Sequence, residues 1–163
     1  MTEKQQFLTR WENEGAVTLK LLRAFPPEQM DFKPHPSARS AKELAWTFVF
    51  EGIAGSQGVA TEFKLPPPNL PPMPDTWHAV VGEVERAFRV MSEAVSKMGE
   101  PHLSSSVKFL TGPKQMSDVR RMDALWLFLN DMIHHRGQFS VYLRMVGAKV
   151  PSIYGPSGDE KWR

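Results

Sequence analysis

The chain has no cysteine. Disulfides, thiolate nucleophiles and thiolate metal ligands are therefore excluded. It also has no run of lysine and arginine: Arg120-Arg121 is the only basic doublet, and the formal net charge is +2. Without a basic stripe interleaved with aromatics, no nucleic-acid partner is expected. No apolar run approaches the length of a bilayer crossing, so no membrane partner is expected either. There is no glycine-rich phosphate loop. No serine sits in the strand–turn–helix elbow that would activate it as a nucleophile. The stretch Met1 to Gln6 is polar and lacks a signal-peptide core, so the expected location is the cytoplasm. No internal repeat of fixed period is present.

Proline, by contrast, is frequent and clustered. Pro26, Pro27, Pro34 and Pro36 mark one connector, and six prolines between Phe63 and Pro74 mark another. Proline cannot continue a helical ladder, so these clusters divide the chain into helical stretches. The first stretch, Thr2 to Ala24, opens with a Thr2/Gln5 capping box and carries Phe7, Trp11, Leu19 and Leu22 at helical spacing. The second opens with Ser40/Glu43 and runs to about Gly58. Gly52, Gly55 and Gly58 either weaken its second half or admit another helix closely. The third, Asp75 to Gly99, alternates an apolar face (Trp77, Val80, Val84, Phe88, Met91, Val95) with a charged one. Residues 100–116 read as a long connector, with Val107 to Leu110 briefly extended at most. At 163 residues the whole chain, 1–163, is expected to be one domain. Four long helices, no credible strand ladder and long crossover connections point to an all-α four-helix bundle.

The fourth stretch holds the chemistry. Asp118 to Val146 is free of proline and reads as one helix, capped by Ser117 and stopped by Gly147. Its apolar residues lie on more than one face, which predicts a position in the middle of the bundle. Asp131 and His135 are four apart and share a face. On the second helix Thr47 and Glu51 have the same spacing. If the two faces meet, they bring together an imidazole, two carboxylates and a hydroxyl, an acceptable set for a divalent first-row metal. The residues alone leave two readings open. Asp131 and His135 could hold a metal, or could pair with each other, Arg136 or Gln138 as a satisfied polar layer, which is the commoner outcome. Gly137, in the middle of this helix, costs about 1 kcal/mol against alanine and predicts close contact with a neighbouring helix or a second subunit.

His135-Arg136-Gly137-Gln138, Tyr142-Leu143-Arg144, Gly147, Val150-Pro151 and Ile153-Tyr154-Gly155 resemble the DinB-like family. So do Phe32-Lys33-Pro34-His35-Pro36 and Glu43-Leu44-Ala45-Trp46 upstream. The family is related to YfiT-like proteins described as metal-dependent hydrolases. The resemblance runs through nearly the whole chain. It implies an up-down-down-up bundle, a homodimer and a site of three histidines. Of those ligand positions, one matches His135, one falls on Asp131 and one on Thr47. With two of three histidines replaced, the site is degenerate, and Glu51 is the residue that could restore a His/two-carboxylate set. The cation expected there, Zn, Ni or Mn, is held weakly or not at all. The activity implied is metal-dependent hydrolysis or thiol transfer. The alternative is a metal-free ligand-binding or stress-response homodimer, with a small molecule in a pocket that includes Phe50, Gln138 and Tyr142.

Overall fold

The computed structural model describes residues 1–163. In chain order it contains α1 (Glu3–Arg23), α2 (Ala41–Ala60), α3 (Trp77–Lys97), α4 (Glu100–Leu103), β1 (Ser106–Gly112), β2 (Gln115–Arg120) and α5 (Arg121–Met145), with a single 3-10 turn at Pro27–Gln29. The protein is mostly helical. Among the long helices, α2 and α1 each pack against both α3 and α5. No helix is long and apolar enough to cross a membrane.

Both capping boxes form. Thr2 Oγ1 accepts from the Gln5 amide while Gln5 Oε1 accepts from the Thr2 amide, and Ser40 and Glu43 repeat the exchange at the start of α2. These bonds satisfy amides that have no partner within the helix. The buried side chains of α1, α2, α3 and α5 join one core, which includes Trp11, Leu22, Phe48, Val84, Met91, Leu129 and Phe139. Trp77 and Phe139 stack in that core, and Phe25 packs on both. A Cβ at Gly52 would lie 2.8 Å from the Ala87 carbonyl oxygen, so this glycine permits the close approach of α2 and α3.

Residues 100–120 differ from the sequence-based expectation. The connector is not structureless: it holds α4 and an antiparallel hairpin, β1 with β2. Ser117 does not cap a helix. It lies in β2 opposite Phe109, and α5 begins only at Arg121. The reason is a period of two in β1, where Val107 and Phe109 are buried and Ser106, Lys108 and Leu110 are exposed. Phe109 meets Phe63 and Phe128 edge-on, which pins the hairpin to the bundle. Across the strands Lys108 pairs with Asp118 at 2.7 Å.

The burial of α5 also departs from expectation. The most enclosed helix is α2, with 13 of 20 residues buried, against 10 of 25 in α5. Leu127, Val141 and Met145 on α5 are exposed, and Gly137 has nothing within 4 Å of its would-be Cβ. No helix of this chain packs on that glycine. Gly147, at φ +76°, ends α5 as its position predicts.

The segment after α5 is tied to the bundle by side-chain hydrogen bonds. Asp159 accepts from Arg144 and from the Val150 amide, Glu160 pairs with Lys20 and accepts from the Ser152 amide, and Trp162 donates to Ser152. Tyr154 reaches further in, to Glu14 and Arg136.

Candidate metal centre

Helix α2 supplies Glu51 and helix α5 supplies Asp131 and His135, because the two helices pack side by side. His135 Nδ1 is 2.9 Å from Glu51 Oε1 and 3.6 Å from Asp131 Oδ1. One donor atom from each of the three residues lies within 4.8 Å of the others. Glu51 is buried, His135 mostly so, and Asp131 is exposed at the solvent rim. Asp131 therefore does not point into the core as its apolar helix suggested. Thr47 stands outside this group. Its hydroxyl accepts from Arg39 Nη1 at 2.9 Å and donates to the Glu43 carbonyl.

The electrostatics of the cluster follow from burial. Loss of solvent pushes the Glu51 carboxyl well above the usual carboxylate range, and the neighbouring Asp131 pushes the same way against a weaker pull from Arg39. Burial also lowers the His135 imidazole, opposed by Asp131 and assisted by Arg39 and His134. Both shifts disfavour the charged forms, so burial weakens the ionic character of the His135–Glu51 contact. Glu51 Oε2 is buried with no hydrogen-bond partner. An orphaned oxygen in a core calls for a proton, a water or a cation. One nitrogen and two carboxylate oxygens, each within 4.8 Å of the others, are a donor set that fits a divalent ion.

The chain matches the DinB family over residues 78–162. It belongs to that family. The matched span contains Asp131 and His135 but begins after Glu51, which joins the site through the packing of α2 on α5. The chain is 29% identical over 156 residues to the uncharacterized protein YrdA of Bacillus subtilis (strain 168), covering 94% of this chain and 89% of YrdA. Two solved structures share the fold. A DinB-like protein from Bacillus cereus ATCC 10987 aligns with a TM-score of 0.77 at 23% identity, covering 92% of this chain and 97% of its own. The DinB-like protein YjoA from Bacillus subtilis aligns with a TM-score of 0.74 at 18% identity, covering 91% and 97%.

The residues expected to line one pocket in this DinB-family chain divide between two. Gln138 and Tyr142 line a cavity of about 520 Å³ that also includes Arg39, Leu44 and His135. Phe50 lines another, of about 560 Å³, with Asp131 and His134. Gln138 is hydrogen bonded to His134, not to His135. The Tyr142 hydroxyl donates to the Arg39 carbonyl and fixes the loop before α2.

Sequence reasoning missed two features. Arg39 lies in a loop with no periodicity to mark it. Arg136 is buried and pairs with buried Glu14, while also donating to the Tyr154 hydroxyl at 2.6 Å. Arg136 and Tyr154 both occur in the segments that resemble the family, and that co-occurrence was the only available signal.

Proposed function

We propose that this DinB-family protein binds a divalent transition metal through Glu51, Asp131 and His135 and is a metal-dependent hydrolase or thiol-transferase. The observation that carries this reading is the unpartnered, buried Glu51 Oε2 beside two further donors. A divalent ion there supplies Lewis acidity, polarising a carbonyl or acidifying a coordinated water or thiol. The chain's own contributions are distinct. Glu51 offers a buried carboxylate oxygen, His135 presents a nitrogen whose protonation burial disfavours, and Asp131 closes the site from the solvent side. Three protein donors leave positions open for substrate. With this reading go the up-down-down-up order of the long helices, a cytoplasmic location and the homodimer that the family resemblance implies.

The test is elemental analysis of tag-free protein after incubation with Zn, Ni or Mn, beside Glu51→Gln and His135→Ala. Near-stoichiometric metal in the parent and none in either variant is the expected result. Equal metal content in all three would sink the reading. One observation favours a metal-free small-molecule site instead: His135 Nδ1 already has a hydrogen-bond partner in Glu51 Oε1, 2.9 Å away, so the cluster holds together without an ion.

A further inference from the structure

Arg39 is a cation beside the cluster that no acid neutralises. Its guanidinium makes one side-chain hydrogen bond, to the neutral Thr47 hydroxyl, and joins no ion pair. That hydroxyl lies one helical turn before Glu51 on α2, and the Arg39 charge favours the ionised Glu51 carboxyl. The backbone of Arg39 is held in place by the Tyr142 hydroxyl. It forms one wall of the cavity of about 520 Å³ to which His135 also contributes.

The other cavity differs in character. Phe50, Leu65, Leu110 and Leu127 wall a groove of about 560 Å³, whose polar edge carries Asp131 and His134. Leu65, Leu110 and Leu127 are exposed there, and nothing in the chain covers them. Asp131 borders this groove, His135 borders the Arg39 cavity, and both belong to the same donor cluster. The donors therefore stand between a cationic cavity and an apolar one. Each cavity falls within the size of ordinary small-molecule sites.

Charge balance selects the ligand. Two carboxylates neutralise a divalent ion, and Arg39 then leaves the site one positive charge in excess. A guanidinium with free donors is suited to a carboxylate or another oxyanion, which it can grip with two parallel hydrogen bonds. We propose that the site takes an amphipathic organic anion, its acid group on Arg39 and its apolar body in the groove of Phe50, Leu110 and Leu127, with the junction between the two beside the metal donors. This inference rests on the metal reading above for the reaction, and on Arg39 and the groove for the substrate class.

The test is calorimetric titration of tag-free protein with octanoate, octanamide and acetate, in zinc and again in chelator, with the zinc content of each sample measured. The variants are Arg39→Gln and Leu127→Asp; both alter exposed side chains, and circular dichroism checks their folding. Octanoate is expected to bind about tenfold tighter than octanamide, the scale of one charge-assisted hydrogen bond. Arg39→Gln should erase that preference. Leu127→Asp should weaken octanoate and leave acetate unchanged. Equal affinity for octanoate and octanamide, no binding of octanoate at millimolar concentration, or a preference that survives Arg39→Gln would overturn the inference. Bound zinc with no octanoate preference sinks the substrate class and leaves the metal centre standing. An Arg39-dependent preference in protein that takes up no zinc does the reverse.

Discussion

Glu14 and Glu51 are equally buried carboxylates, and only Glu14 has a cation against it. Arg136 reaches Glu14 from α5, with the Tyr154 hydroxyl as a third member. Glu51 meets His135, the residue just before Arg136, and keeps an unpartnered oxygen. Adjacent residues of α5 thus face different neighbours, α2 and α1, about 100° apart round the helix. One completes a closed ionic group, and the other leaves an open cluster.

That openness makes metal affinity depend on pH. A ligating carboxylate must lose its proton, and burial holds the Glu51 proton on well above the usual carboxylate range. Zinc affinity should therefore rise with pH until the Glu51 titration is complete. Glu51→Gln should show no zinc binding at any of these pH values. Zinc titrations by calorimetry at several pH values read this directly. In wild type, zinc at a hundredfold excess over Kd should add about 2.7 kcal/mol of stability.

The metal-free protein should show the opposite trend. Glu51 is raised on folding, so the folded state binds more protons than the unfolded chain above the ordinary glutamate pKa. Stability is then lost as pH rises from that value through the raised one. His135, lowered on folding, contributes a rise that ends near the ordinary histidine pKa. Glu51→Gln should remove the falling part and leave the rise. Urea unfolding in chelator across the acid-to-neutral range measures both limbs.

The Glu14–Arg136 pair should behave as a unit. Arg136→Met leaves Glu14 buried with the Tyr154 hydroxyl but no cation, which costs about 3–5 kcal/mol. The double variant Glu14→Leu/Arg136→Met should be more stable than Arg136→Met alone. Tyr154→Phe should cost about 1 kcal/mol, the net worth of an ordinary hydrogen bond. Denaturant midpoints at neutral pH decide among these.

Two glycines should respond with opposite signs. Gly52→Ala drives a methyl into the Ala87 carbonyl and should destabilise by about 1–3 kcal/mol. Gly137→Ala faces open space on an exposed helical surface and should stabilise by about 1 kcal/mol. Thermal unfolding of the two variants gives the comparison. A destabilised Gly137→Ala, with weaker self-association by sedimentation, would put a second chain on that face.

Much of this molecule was legible in the sequence because its signals are local. Capping residues, proline clusters and the 3.6-residue period located α1, α2 and α3 nearly to their ends. The α2–α5 pairing of Glu51 with Asp131 and His135 was reachable from two i,i+4 spacings. The hairpin was not, because its buried alternation is two residues long, Val107 and Phe109, and its meaning comes from Phe63 and Phe128 far along the chain. The exposure of Asp131 and the partnership of Thr47 with Arg39 depend on how α5 is rotated and how a loop lies. Neither leaves a mark on composition or period. Glu14 reads as an ordinary surface charge on α1 until Arg136 is brought to it from more than a hundred residues away.

Tyr154 lies in the segment after α5, outside any helix, yet its hydroxyl completes the group around Glu14 and Arg136. The helices can gather their apolar faces without that segment, but the polar centre of the core then stays incomplete. The segment after α5 thus acts as a clasp on the bundle: a proteolytic cut between Met145 and Tyr154 would release the third member of a group buried between α1 and α5.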